Sequence, residues 1–216
     1  MNKEPIDPQL ARMTDPNQPY LPGPGRPREF DPDKAILDAM NVFWDRGYHG
    51  TALPDLIEGT GLSRGSLYKA FGDKKGLFLA ALDRYTSEHL KAIAGILSKP
   101  GSAKAVIRES LLRYARRSSR EQGRRGCLTI ATAAEMASHD AEIAERVERM
   151  FRRVQDLYAG AIIRGQAAGE IPADRDERTL ARFLLCQIQG MRVLGKTGAR
   201  EAEMEALVDT AMRVFD

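Results

Sequence analysis

The sequence predicts an all-α protein with an N-terminal three-helix helix-turn-helix domain and a C-terminal antiparallel helical bundle. Three observations predict it. Apolar residues recur three and four positions apart along most of the chain. Glycines and prolines gather at the breaks between those periodic segments rather than within them. Aromatic residues make up 6% of 216 residues, which suits helices better than sheets. Apolar content of 43% is enough for a core, and the length allows one large or two small domains.

Composition also sets limits. A net charge of +3 is too small to define a nucleic-acid partner unless it is concentrated on one surface. Cys127 and Cys186 provide neither a disulfide framework nor metal-ligand spacing. No apolar run approaches the roughly 18–20 residues that span a bilayer, and the N-terminus has no apolar signal core. The expectation is a cytoplasmic chain with reduced thiols and no cofactor.

Residues 1–25 hold six of the eleven prolines and lack apolar periodicity, so they read as a flexible, partly extended arm. The arm ends in Gly23-Pro24-Gly25-Arg26-Pro27-Arg28. Arginines in such a segment suit a narrow minor groove, which makes Arg26 and Arg28 candidate DNA contacts. The first helix starts at Asp31-Pro32, a cap followed by proline at the first helical position. Ile36, Met40 and Phe43 mark its inner face, and Gly47 is its stop.

Thr51–Phe71 then reads as two short helices joined by a tight turn. Thr51 is placed to cap the first, with Leu53, Leu56 and Ile57 as its apolar stripe. Thr60-Gly61 breaks the pattern, and Ser63 caps a second helix over 64–71. Leu67 and Phe71 face inward, while Arg64, Gly65, Ser66, Tyr68 and Lys69 face outward. A short helix that shows cations, hydroxyls and a bare glycine suits the DNA major groove. Gly72 ends it, Asp73 caps the next helix, and Lys74 stands in that helix's first turn, where free N–H groups already favour an anion. Over 64–75 the cations Arg64, Lys69, Lys74 and Lys75 oppose Asp73 alone.

The run G-L-S-R-G-S-L-Y-K-A-F followed by G-D-K-K-G-L-F closely resembles the DNA-binding segment of TetR-family transcriptional regulators. The resemblance is strong over about residues 26–85 and rests on helical pattern alone beyond that. It implies a recognition helix at 64–71, phosphate contacts from Tyr68 and Lys74, a ligand pocket in the C-terminal half, and a four-helix dimer interface built by the last two helices. Lys75 departs from the family pattern, which more often has an acidic residue there, and is expected to strengthen nonspecific DNA binding.

The domains expected are thus the arm 1–25, the DNA-binding head 26–75, and a ligand-binding and dimerisation bundle 76–216. Within the bundle, S-K-P-G-S at 98–102 ends one helix and 103–119 begins another. Gly123-Arg124-Arg125-Gly126 is a second break, and 127–137 is a small-residue helix. Residues 140–168 form the longest helix, with an apolar seam at Ile143, Val147, Met150, Val154, Leu157 and Ala161. The segments 175–196 and 200–215 complete the bundle. Both are apolar on more than one side, which predicts burial against a twofold mate through Leu184, Gln187, Gly190, Met191, Leu194, Met204, Leu207, Val208 and Ala211.

The function expected is a dimeric, sequence-specific DNA-binding regulator, a repressor, released from a near-palindromic operator by a small molecule. Thr51, Ser63, Arg64, Gly65, Ser66, Tyr68, Lys69 and Lys74 join Arg26 and Arg28 as the DNA-contact set. Tyr114, Cys127, Thr132, Glu135, Met136, Phe151, Tyr158, Phe183 and Gln187 are the candidate pocket residues. Few of them are charged, which points to a mostly apolar or aromatic effector. An alternative is a thiol sensor in which Arg124, Arg125 and a helix start activate Cys127 towards electrophiles. Catalysis is not expected. Ser66-Leu67-Tyr68-Lys69 matches the S-x-x-K pattern of some acyl-enzymes without the further motifs that chemistry needs. His49, His89 and His139 have no metal-ligand spacing.

Overall fold

The computed structural model describes residues 30–216; the Pro-rich arm, with Arg26 and Arg28, lies outside the described residues. Residues 32–216 pack as one unit. Helix α1, Pro32–Arg46, begins at the Asp31-Pro32 junction and ends at Gly47, whose φ of 76° reverses the chain. It buries Ala35, Ala39, Met40 and Phe43, the three-four spacing read from the sequence.

Helices α2 (Leu53–Thr60) and α3 (Arg64–Phe71) form the turn motif, with Gly61 left-handed at φ 67° between them. Thr51 does not cap α2. Ala52 occupies that position, and the Asp55 carboxylate closes the turn by accepting its backbone N–H at 2.7 Å. Thr51 is buried instead, its hydroxyl donating to the Gly47 carbonyl at 2.6 Å. Ser63 and Asp73 cap as expected, accepting from the backbone N–H of Ser66 and Gly76.

Helix α4, Lys74–Leu97, runs without interruption across the expected domain division at 75/76. Its first half places Leu77, Phe78, Ala81, Leu82 and Tyr85 in a core with Phe43, Leu56 and Leu67. Its second half places Ile93 and Leu97 in the bundle core. The bundle continues with α5 (Ala103–Arg117), α6 (Arg120–Arg125), α7 (Leu128–Met136), α8 (Ala141–Ala167), α9 (Glu177–Gly195) and α10 (Glu201–Met212), closed by a 3-10 turn at Arg213–Phe215. The break expected at 123–126 is largely helical: Gly123 lies inside α6, and Gly126, at φ 78°, makes the turn. Gly195 is required by packing. A Cβ there would stand 2.4 Å from the Ser118 carbonyl oxygen, so only glycine lets α9 pass the end of α5.

The bundle core gathers Ile107, Leu111, Val154, Tyr158, Ile162, Ala181 and Phe215 around α5, α8 and α9. The head core is not confined to the head. Met136 from α7, with Ile143 and Val147 from α8, is buried in it. Each large apolar side chain so buried contributes about 1.5–3 kcal/mol, so the head is stabilised by the bundle it stands on.

The expected dimer surface divides in two. Leu184, Met191, Met204, Val208 and Ala211 are buried inside this chain, because α10 packs onto α5 and α8 onto α9. They are core, not surface. Leu194 (48% exposed), Leu207 (37%) and Gly190 remain outside, joined by Val193 at 52%. Gln187 is half-buried.

Candidate nucleic-acid interface and bundle cavity

The interface is built on α3. Its anchors are Leu67, buried in the head core, and Phe71, half-buried against it. The opposite face carries Ser63, Arg64, Gly65, Tyr68 and Lys69, all exposed, with Ser66 half-buried beside them. Ser63 Oγ lies 3.0 Å from Ser66 Oγ, which brings two hydroxyls together at the helix N-terminus. The Arg64 guanidinium stands 5.4 Å from the Tyr68 ring centroid. A Cβ on Gly65 would find nothing closer than 3.9 Å, so no contact within the chain demands glycine there. Among the described residues no carboxylate pairs with Arg64, Lys69 or Lys74.

Lys74 and Lys75, adjacent in sequence, have different surroundings. Lys74 Nζ sits 4.4 Å from the Tyr48 ring centroid, at the N-terminus of α4 and near α3. Lys75 turns to α8 and pairs with Asp140 at 2.7 Å and Glu142 at 3.3 Å. Those bonds raise the Lys75 pKa and lower that of Asp140. Lys75 is therefore not an added free cation beside α3; Asp140 and Glu142 neutralise its charge.

Two further ties run from the head into the bundle. The Glu135 carboxylate, on α7, accepts the backbone N–H of Tyr48 at 3.0 Å and of His49 at 2.6 Å. Arg125, at the end of α6, donates to Asp45 at 2.6 Å and to the Asn41 side chain at 3.0 Å, with its guanidinium 4.3 Å from the Trp44 ring centroid. Sequence periodicity shows none of these pairs, since the partners lie some eighty positions apart.

Next to these ties is a small cavity of about 10 Å³ among α4, α5, α7, α8 and α9. Its apolar walls are Met150, Val154, Leu185 and Ile188; its polar groups are His89, Tyr114, Thr129, Gln189 and Arg192, with Cys127. His89 Nε2 lies 2.7 Å from the Tyr114 hydroxyl, and its ring stacks on Tyr85. Burial first, then Arg117 and Arg192, push the His89 pKa down to about 3, so the ring is neutral. Arg192, 4% exposed, donates to the carbonyl oxygens of Arg117 and Gly126. The Thr129 hydroxyl is buried without a hydrogen-bond partner.

Of the predicted pocket residues, Tyr114 and Cys127 reach this cavity. The others belong elsewhere for identifiable reasons. Thr132 donates to the Leu128 carbonyl of its own helix, and Glu135 binds the head. Met136 is in the head core, and Tyr158 is fully buried with its hydroxyl 2.7 Å from that of Ser110. Phe151 packs between the two cores, and Phe183 and Gln187 are half-buried on another face of α9. Arg192 went unpredicted because a cation on a helix ordinarily marks a solvated face.

The activated-thiol reading of Cys127 is not favoured. Its sulfur is buried and accepts the Tyr85 hydroxyl at 3.4 Å, and Arg125, expected beside it, is engaged with α1. Among the described residues no helix is long and apolar enough to cross a membrane, and no cluster of His, Cys, Asp and Glu could hold a metal.

This fold and this α3 surface define a helix-turn-helix regulator. The family model for bacterial regulatory proteins of the tetR family matches residues 36–81, and that for the tetracyclin repressor-like C-terminal domain matches residues 103–211. The chain is 32% identical to the HTH-type transcriptional repressor ComR of Escherichia coli, over 94% of this chain and 97% of that one. It is also 32% identical to the HTH-type regulator YezE of Bacillus subtilis, over 89% and 100%. Among solved structures, a cysteine-substituted TetR-family regulator CifR, complexed with 26 bp double-strand operator DNA, superposes with a TM-score of 0.80 at 32% identity, over 89% of this chain and all of that one. The chain belongs to the TetR family of DNA-binding transcriptional regulators, a non-enzymatic family.

Proposed function

We propose that this protein is a homodimeric repressor whose two α3 helices enter successive major grooves of a near-palindromic operator, and that a small molecule in the bundle cavity releases it. The observation that carries the reading is the α3 surface. It presents the Ser66 hydroxyl, two cations without a carboxylate partner and a bare glycine, none of them needed by the chain's own packing, beside the Ser63 hydroxyl that caps α3. In this reading Ser63, Arg64, Gly65, Ser66 and Lys69 meet bases and phosphates, with Tyr68 and Lys74 on phosphates. Arg26 and Arg28 extend the contact into the minor groove. Thr51 is left out as a direct contact, because its hydroxyl is already committed to Gly47. The relative CifR was solved on operator DNA, which supports the same use of this head.

A second copy is needed because each mismatched base pair costs only about 1–3 kcal/mol, and two heads multiply discrimination. Val193, Leu194 and Gly190 on α9, with Leu207 on α10, are the apolar surface offered to it. Release requires a ligand that binds the DNA-incompetent arrangement better than the competent one. The Glu135, Arg125 and Lys75 ties and the shared head core supply a physical route, since α6, α7 and α8 cannot shift without loading the head.

The test is sedimentation velocity with operator anisotropy, using the intergenic DNA beside the coding sequence. A dimer that protects a footprint with half-sites about one helical turn apart is expected, and Leu194→Asp should shift the protein to monomer and abolish the footprint. A wild-type monomer that ignores this DNA at low salt would exclude the proposal.

A further inference from the structure

We propose that the bundle cavity selects a small organic anion, a monocarboxylate with an apolar body, held at its oxygens by Arg192 and Thr129. The proposal rests on the effector reading above and adds the chemistry of the ligand. Arg192 is 4% exposed, yet among the described residues no carboxylate pairs with it or with the nearby Arg117. Its bonds to the carbonyls of Arg117 and Gly126 engage both terminal nitrogens but supply no counter-charge. A buried guanidinium ordinarily has a counter-ion, because desolvating it alone is unfavourable. Loss of solvent, with Arg192 nearby, holds the Arg117 pKa down, so the two cations lie in one region without a carboxylate.

The second observation is independent of charge. Thr129 is 1% exposed, its hydroxyl has no partner, and it lines the same cavity as Arg192. A buried hydroxyl left unmatched in a cavity wall marks a place for an acceptor atom. A carboxylate fits both groups, with one oxygen towards the guanidinium, whose planar donors match it, and one towards the Thr129 hydroxyl. His89 is neutral and committed to Tyr114, so it adds no competing charge. Val154, Leu185 and Ile188 would face the apolar body. The space already open is only about 10 Å³, so a ligand must be small and enters only as Met150, the flexible wall, yields to it. Arg117 also lines a surface groove with Arg113, Arg116 and Glu109, whose net charge is positive.

The experiment uses the full-length protein, with butyrate and benzoate as probes and butyramide and benzamide as their neutral counterparts. Melting temperature, Trp44 fluorescence and operator anisotropy are read for wild type, Arg192→Met and Thr129→Val, with operator binding first measured free of any probe. At least one carboxylate should raise the melting temperature and release operator, at least tenfold more effectively than its amide. Arg192→Met should abolish the difference and Thr129→Val should weaken it several-fold, with probe-free operator binding intact. Should Arg192→Met fail to fold, Thr129→Val decides. Equal action by amides and carboxylates, untouched by either variant, would overturn the anion assignment and leave the effector reading standing. Silence from all four probes would also overturn the assignment, while probe-free operator binding reports separately on the regulator itself.

Discussion

The Glu135 carboxylate lies 2.6 Å from the backbone nitrogen of His49, joining α7 to the turn that leads into the recognition motif. It also holds the N–H of Tyr48 at 3.0 Å, so one acidic group satisfies two donors that no helix supplies with acceptors. A charged acceptor makes each bond stronger than a neutral one. Glu135→Gln keeps one acceptor oxygen and loses the charge, and should destabilise the fold by about 1–2 kcal/mol in urea titration. Hydrogen exchange at 47–50 should accelerate more than at α3. Unaltered exchange there would remove the tie from the coupling route.

Lys74 and Lys75 make a paired test. Lys74→Ala should weaken binding to any duplex and reduce the salt dependence by about one unit of log-log slope, because one phosphate contact is lost. Lys75→Ala should leave the slope unchanged, since Asp140 and Glu142 already neutralise that cation. A slope that falls equally in both variants would show that Lys75 leaves α8 when DNA arrives.

Gly65 and Ser63 separate binding from folding. A Cβ at 65 meets no atom closer than the Ser63 Oγ at 3.9 Å, so Gly65→Ala should stabilise the free protein by up to about 1 kcal/mol through helix propensity. The same methyl should stand between α3 and the DNA and weaken operator binding. Ser63→Ala removes the cap from α3 and should cost about 1 kcal/mol in denaturation. If Gly65→Ala left operator affinity intact, α3 would not be the closely docked element.

His89 sets a pH limit. Its folded pKa, about 3, lies below the ordinary value near 6.5, so the unfolded chain takes up a proton that the folded chain refuses. The stability this group contributes is full above pH 6.5 and is lost as pH falls towards 3. By pH 5 the loss should be about 2 kcal/mol. Calorimetry should show His89→Gln flattening that slope between pH 6.5 and 5; an equal slope in both proteins would assign the acid sensitivity to other groups.

Local chemistry was legible in the sequence, and contacts between distant segments were not. Ser63 and Asp73 accept from backbone N–H groups three residues away, so the order of residues alone placed the starts of α3 and α4. The outward face of α3 followed from the inward pull of Leu67, again within one helical turn. Thr51 was the local failure. Its hydroxyl chose a carbonyl four residues back, and Asp55 closed the turn onto Ala52.

The sequence alone determined that there are two short helices with a cationic, hydroxyl-bearing face, and hence which surface is proposed for DNA. Only the tertiary structure decided that Lys75 serves α8, that Glu135 braces the head, that Leu184 and Met204 are core, and that Arg192 is buried beside an unmatched hydroxyl. A helix periodicity says which side of a segment is apolar; it does not say which helix, of this chain or another, covers that side. A charged residue has the same sequence signature in solvent and in a cavity, and only the packing of α5, α7 and α9 around it makes the difference.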